Sequence, residues 1–242
     1  MPISELGANS KSVILCKLPN GRYEKASYQV IDGAFVIKTK IGATFVVEDK
    51  STTSTTATTS TGYKDINSNA NSKYINELAI LCIVSGGTAS NYYPSQNITR
   101  GDFASMIARA ANLTTSTTTS LTDVRNTANA SLIEALNESG IMRGTTSTRF
   151  NMSGTVTREE ASVILARLFR HLKMDVATMQ NEQQTNYRDI ANLSYESRRS
   201  IALMDLLEIF DSSATSFNPT AKLTRGEFAK VLSKAMEAAE LK

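Results

Sequence analysis

Three arginines carry the most specific chemical signal in the chain. They stand in Thr99-Arg100-Gly101-Asp102, Thr157-Arg158-Glu159-Glu160 and Thr224-Arg225-Gly226-Glu227. A Thr followed three residues later by an acid is the sequence form of a capping box. The hydroxyl accepts an early helical N–H and the acid reaches back to the cap, which contributes ~1 kcal/mol. Each Arg then occupies the first helical position, where the positive end of the helix dipole disfavours a cation by ~0.3–1 kcal/mol. Three such placements in register ask for a reason. In one reading each Arg pairs with an Asp some 35 residues upstream (Asp65, Asp123 or Asp189) or with its own capping acid. In the other, the planar guanidinium fork and the early helical N–H groups face an anionic ligand, a carboxylate or a phosphate. The two are compatible, since the Asp can orient the Arg for its ligand.

Other chemistry is thin. His171 is the only histidine, sits at a Lys/Arg-rich helix end, and reads as a surface or partly buried residue rather than a base. One histidine and no Cys-x-x-Cys cannot build a zinc site of ordinary type. The carboxylates are explained by caps and leave no apolar-flanked pair of the glycosidase kind. Neither a phosphate-cradling Gly-rich motif nor a nucleophile elbow is present. The expectation is a non-enzyme without cofactor or metal. Cys16 and Cys82 lie inside apolar runs and read as buried small hydrophobes rather than as a disulfide.

The elements that position the arginines form a threefold repeat. After each cap the apolar positions agree: Phe103, Ala161 and Phe228, then Met106, Ile164 and Val231, then Ile107, Leu165 and Leu232, then Ala110, Leu168 and Ala235. That spacing makes one apolar helical stripe, used three times. Upstream, Tyr63-Lys64-Asp65-Ile66, Leu121-Thr122-Asp123-Val124 and Tyr187-Arg188-Asp189-Ile190 share an Asp followed by a β-branched residue. Between the two elements runs a second amphipathic helix, marked by Ile75-Leu78-Ala79, Leu132-Ala135-Leu136 and Ile201-Met204-Asp205. Units at 63–113, 121–172 and 187–242 follow, each helix, loop, helix. Their stripes can be covered by stacking as a solenoid or by closing around a pseudo-threefold axis.

Residues 1–50 read as a small β-rich N-terminal domain with strands near 12–18, 22–31, 34–40 and 43–48, punctuated by Asn20-Gly21 and Asp32-Gly33. Residues 51–62, almost wholly Ser and Thr, read as a flexible or extended linker that cannot bury apolar area to offset its ordering entropy. A net charge of +3 over 242 residues gives no basic footprint for nucleic acid. No run approaches the roughly 18 apolar residues of a membrane span. The N-terminus lacks a secretion-signal pattern, because Glu5 precedes any basic residue and Val13 to Cys16 is short for an apolar region. A mature form, or another route of delivery, is expected.

The order of these features resembles three tandem S-layer homology domains over about residues 63–242. The features are Asp-[Ile/Val], central helix, Gly-containing turn, an aromatic, and Thr-Arg-x-[Asp/Glu]. The second unit is best preserved, with Gly140-Ile141-Met142-Arg143-Gly144 ahead of Phe150 and Val156-Thr157-Arg158-Glu159-Glu160-Ala161. The resemblance implies a mainly α fold, a pseudo-threefold, trimer-like spindle with a central helical bundle. It implies a cell-surface anchor whose inter-repeat grooves hold an anionic, pyruvylated secondary cell-wall polysaccharide. Arg100, Arg158 and Arg225 would meet the acidic substituent, and Asp65, Asp123 and Asp189 would bind sugar hydroxyls or steady the groove. Tyr63 and Tyr187 would stand at its wall, and Gly140 and Gly144 in its turn. Leu121 replaces the usual aromatic in unit two, and Leu207 to Asp211 replace the Gly-rich turn in unit three, so one or two working grooves are expected. The rival expectation is a structural part of a phage virion or contractile particle, docked through residues 1–50, that uses the triplet as a host-wall-binding or protein–protein adaptor.

Overall fold

The computed structural model describes residues 63–84, 87–88, 90–113, 119–176, 185–210 and 215–241, and five strands nearer the N-terminus as backbone only. The expected linker at 51–62 lies outside the described residues. The strands are β1 (Ser12–Lys17), β2 (Tyr23–Lys25), β3 (Gln29–Ile31), β4 (Ala34–Val36) and β5 (Thr44–Asp49). β1 pairs antiparallel with both β2 and β5, whereas β3 and β4 form a separate hairpin pair. The single strand expected over 22–31 is therefore two strands in two different sheets.

Beyond residue 63 the described residues form helices. α1 (Ser72–Ile80), α3 (Ala130–Glu138) and α5 (Tyr195–Leu206) alternate with α2 (Arg100–Ala110), α4 (Arg158–His171) and α6 (Arg225–Ala238). The even-numbered helices start at the three arginines. Thr99, Thr157 and Thr224 each accept the backbone N–H three residues on, at 3.1, 3.2 and 3.2 Å. Glu160 and Glu227 close the box by accepting the cap's own N–H at 2.9 and 2.8 Å. Asp102, one methylene shorter, does not close it, and its carboxylate turns instead to Arg225.

The apolar stripes lie inside. Phe103, Ala161 and Phe228 are fully buried, and the rings of Phe103 and Phe228 stack with centroids 4.1 Å apart. What covers each stripe comes from the neighbouring unit as well as its own. α2 packs on α3, α4 on α5, and α6 returns to α1. Short antiparallel bridges repeat the same cycle: Thr99 with Thr155, Thr157 with Lys222, and Thr224 with Asn97. The last unit thus meets the first instead of leaving an open end, unlike a solenoid stack.

Backbone conformation repeats more strictly than residue type. Every left-handed residue among those described falls into one of three equivalent sets. Cys82, Gly140 and Glu208 follow the first helix of each unit, where a left-handed residue ends a helix. Tyr93, Asn151 and Asn218 follow the loop aromatic, and Asn112, Lys173 and Glu240 follow the second helix. The third unit's turn, which lacks glycine, nonetheless keeps the same backbone bend at Glu208.

Cys82 is disulfide-bonded, which corrects the reading of it as an unpaired buried hydrophobe. It is also only half-buried, because the left-handed turn it occupies lies at the end of α1 rather than on its apolar face. No helix among the described residues is long and apolar enough to cross a membrane.

Candidate functional site

Each upstream aspartate holds a loop of its own unit. Asp65 accepts the N–H groups of Tyr92 and Tyr93 at 2.8 and 2.7 Å. Asp123 does the same for Phe150 and Asn151 at 2.8 and 2.7 Å, with Met152 at 3.3 Å. Asp189 accepts from Phe217 and Asn218 at 2.9 and 2.7 Å. The left-handed residue in each pair turns two consecutive N–H groups toward one carboxylate, the geometry of an anion-binding nest. Burial pushes the Asp123 and Asp189 carboxyls up, but these N–H bonds outweigh it and hold both below the usual carboxylate range. For Asp189 the nearby Arg158 adds to the lowering.

The loops so fixed receive the arginines of the preceding unit. Arg100 Nε donates to the Phe150 carbonyl at 3.1 Å, Arg158 Nε to Phe217 at 2.7 Å, and Arg225 Nε to Tyr92 at 2.8 Å. Each guanidinium also lies over the ring whose carbonyl it binds, 4.6–5.0 Å from the centroid. Charge held over an aromatic face in this range is attractive. The three Asp residues bond to loop amides and Glu160 and Glu227 to their caps, while the capping acid Asp102 pairs with the arginine of another unit, Arg225.

The three guanidiniums differ in what remains to them. Arg225 is buried and ion-paired to Asp102 at 2.6 Å. Arg158 is covered from the third unit's turn by a second ring, Phe210, also 4.6 Å away, and Phe210 stands edge-on to Phe217. Arg100 lacks a second ring, although it is buried like Arg225 and more so than Arg158. Its Nη2 donates to the Arg143 carbonyl at 3.0 Å and it forms no ion pair. Among the described residues its Nη1 makes no hydrogen bond. Burial lowers its pKa, and Glu160 and Asp123 partly restore it.

Arg100 borders a cleft of about 420 Å³ between the turn at 142–145 and the facing sides of α4 and α5. Arg143, Arg167, Glu159, Glu160 and Glu196 also line it. Arg167 grips Glu196 through two bonds of 2.8 and 2.9 Å, the bidentate geometry that makes such pairs rigid. Glu159 accepts the Ser197 hydroxyl at 2.6 Å. The cleft therefore presents fixed carboxylate oxygens suited to hydroxyl groups, beside cations suited to an acid. Arg167 holds the Glu196 carboxyl below its usual range, the opposite of what a general acid needs.

Gly140 and Gly144 frame the turn on this cleft. Gly140 has φ +73° and ends α3. A Cβ on Gly144 would stand 2.6 Å from the Arg149 carbonyl oxygen, so that position has room for hydrogen alone. Tyr63 and Tyr187 are not brought to the cleft. Tyr63 packs on Tyr92 and Tyr187 on Phe217, within their own units, and Leu121 is buried at the corresponding place. Tyr187 also donates its hydroxyl to Asp205 at 2.7 Å, which accounts for a polar residue on the third unit's apolar stripe. Arg158, although it belongs to the best-preserved motif, faces the third unit and does not border this cleft. Arg143, Arg167, Glu159, Glu196 and Ser197 were not singled out from sequence. Arg143 and Glu159 lie inside the quoted motifs, but the Arg167–Glu196 pair joins two units and leaves no local pattern. Among the described residues no cluster of ligating side chains is suited to a metal ion.

The sequence profile of the S-layer homology domain matches residues 62–104 and 120–162. An endoglucanase of Bacillus sp. (strain KSM-635) is 27% identical over 162 residues, covering 66% of this chain. An amylopullulanase of Thermoanaerobacterium thermosulfurigenes is 30% identical over 175 residues, or 70% of this chain. The exoglucanase XynX of Acetivibrio thermocellus is 29% identical over the same length and share. These aligned stretches are longer than the whole span from 62 to 162. The chain spans 17%, 9% and 16% of those relatives' own lengths.

Proposed function

We infer that a chain carrying two S-layer homology domains works as a non-catalytic, cell-wall-binding module at the cell surface, and that its ligand is an acidic secondary cell-wall polysaccharide, pyruvylated at the group it presents. The cyclic contacts of α2 with α3, α4 with α5 and α6 with α1 support a third unit at 187–242 and a pseudo-threefold, trimer-like spindle. The relatives are polysaccharide-acting enzymes many times longer than this chain, and their activities are not carried over with so small a shared fraction.

The observation that carries the reading is Arg100. It is the one of the three repeated arginines that combines an unbonded Nη1 with a place on an open cleft. An acidic sugar substituent would take that nitrogen and Arg143, while Glu159 and Glu196 accept ring hydroxyls. Asp65, Asp123 and Asp189 are assigned the steadying role, because their oxygens are already used by loop amides. Placement on a phage or contractile particle through residues 1–50 draws on no observation among the described residues.

Co-sedimentation of the full chain with wall sacculi tests this. Binding is expected to sacculi that carry their polysaccharide and to be lost when the polysaccharide is stripped. Equal recovery with both preparations, or with neither, overturns the reading. Arg143→Ala, at an exposed position, is expected to weaken binding about tenfold, the loss of one charge-assisted contact of ~1.5 kcal/mol.

A further inference from the structure

A second cleft of about 390 Å³ lies beyond the first, on the outer side of the Gly140 turn. It is lined by Ser139, Gly140 and Ile141 and by four basic side chains, Arg143, Arg167, Arg170 and His171, with no acid among its lining residues. Arg167, Arg170 and His171 follow the i, i+3, i+4 spacing of one helical face at the end of α4. Cations are favoured at a helix C-terminus, which explains their presence singly. It does not explain their convergence with Arg143, which comes from another element and adds like charge. Arg170 and His171 are exposed and their side chains bond to no group among the described residues, and Arg143 engages the protein there through its carbonyl. Glu196, gripped by Arg167 and within the field of Arg170 and Arg143, offsets one of these charges.

We propose that this cleft is a second anion subsite, taking a compact oxyanion (a phosphate or a carboxylate) of the same wall polymer whose sugar occupies the adjoining groove. Arg143 and Arg167 border both clefts, so a polymer crossing the turn would be held at two charged points. Two weak contacts on one chain act together, since the second becomes intramolecular. The polymer assignment rests on the wall-binding reading above; the anion site itself does not.

His171 is the chain's single histidine, so its ring-proton resonance reports on this cleft without assignment of other signals. The full chain is titrated with inorganic phosphate at constant pH and ionic strength, with sodium chloride as the comparison. A saturable His171 shift with phosphate is expected, with affinity about tenfold weaker in Arg170→Ala. Helical circular dichroism of the variant checks that it folds. A response identical to that with chloride, or one untouched by Arg170→Ala, overturns the site. In the second arm, Arg170→Ala is expected to weaken sacculus binding several-fold. Repeating the His171 titration with acetate separates the two anions: tighter saturation by acetate assigns a carboxylate, tighter saturation by phosphate a phosphate. Equal binding of variant and parent to untreated sacculi overturns the polymer assignment. A parent chain that ignores sacculi overturns the wall-binding reading instead, and leaves the phosphate titration to decide the anion site by itself.

Discussion

At the scale of single residues, a carboxylate that looks like a ligand is a clamp. Asp65, Asp123 and Asp189 each spend both oxygens on consecutive loop amides. Their recurrence was legible in the sequence, with sugar binding and steadying of the groove both expected, but the amides they hold were not. The amides belong to residues about 28 positions away, and only the left-handed backbone at Tyr93, Asn151 and Asn218 turns them toward the acid. The depressed Asp123 and Asp189 pKa values carry a signed consequence. A carboxyl whose folded pKa lies below its unfolded value adds stability that is complete above the unfolded pKa. That stability is lost as pH falls through the folded value. Stability of the protein is therefore expected to drop on acidification below about pH 4. Asp123→Asn should flatten that part of the profile while costing about 1–3 kcal/mol near neutrality. Urea midpoints measured from neutrality down to pH 3 check this; a variant with the parent's slope contradicts it.

At the scale of elements, caps and stripes were read directly, because both obey short, fixed spacings. All three capped helices start at the expected Arg, and their stripes are buried. The turns were harder, since a sequence without glycine hides a left-handed bend. Glu208 occupies the place of Gly140 with φ +52°, a strained setting for a residue with a side chain. Glu208→Gly is expected to stabilise the protein by about 0.5–1 kcal/mol, the relief of strain less the extra chain entropy of glycine. A raised urea midpoint with unchanged slope reports it. On the buried stripe the sign reverses. Ala161 is fully buried at the position held by Phe103 and Phe228, and Ala161→Phe should overpack it at a cost of about 1–3 kcal/mol or more. Thermal unfolding that leaves Tm unchanged would show unfilled space there.

At the scale of the whole molecule, the units exchange parts. The second helix of each packs on the next unit's first helix, so the arginine of one motif serves the loop of the following motif. Local patterns could not disclose this, because the partners Arg100 with Phe150, Arg158 with Phe217 and Arg225 with Tyr92 are 50, 59 and 133 residues apart. The sequence thus pointed to the residue type but not to the unit whose loop each arginine serves. The second unit's Gly140–Gly144 turn is served by Arg100, while Arg158 is roofed by Phe210 and Phe217. Because the last helix packs on the first, residues 63–242 are expected to unfold in a single transition with coincident fluorescence and dichroism midpoints. Separate transitions would show independent units.

The most direct test of the hand-over compares two matched substitutions in the full chain, Arg100→Lys and Arg158→Lys. Each keeps its charge and loses its planar fork. Their affinity for polysaccharide-bearing sacculi is measured beside their thermal stability. Arg100→Lys is predicted to weaken wall binding about tenfold or more, with Arg158→Lys remaining near the parent. A loss confined to Arg158→Lys, or equal in the two, would contradict the account.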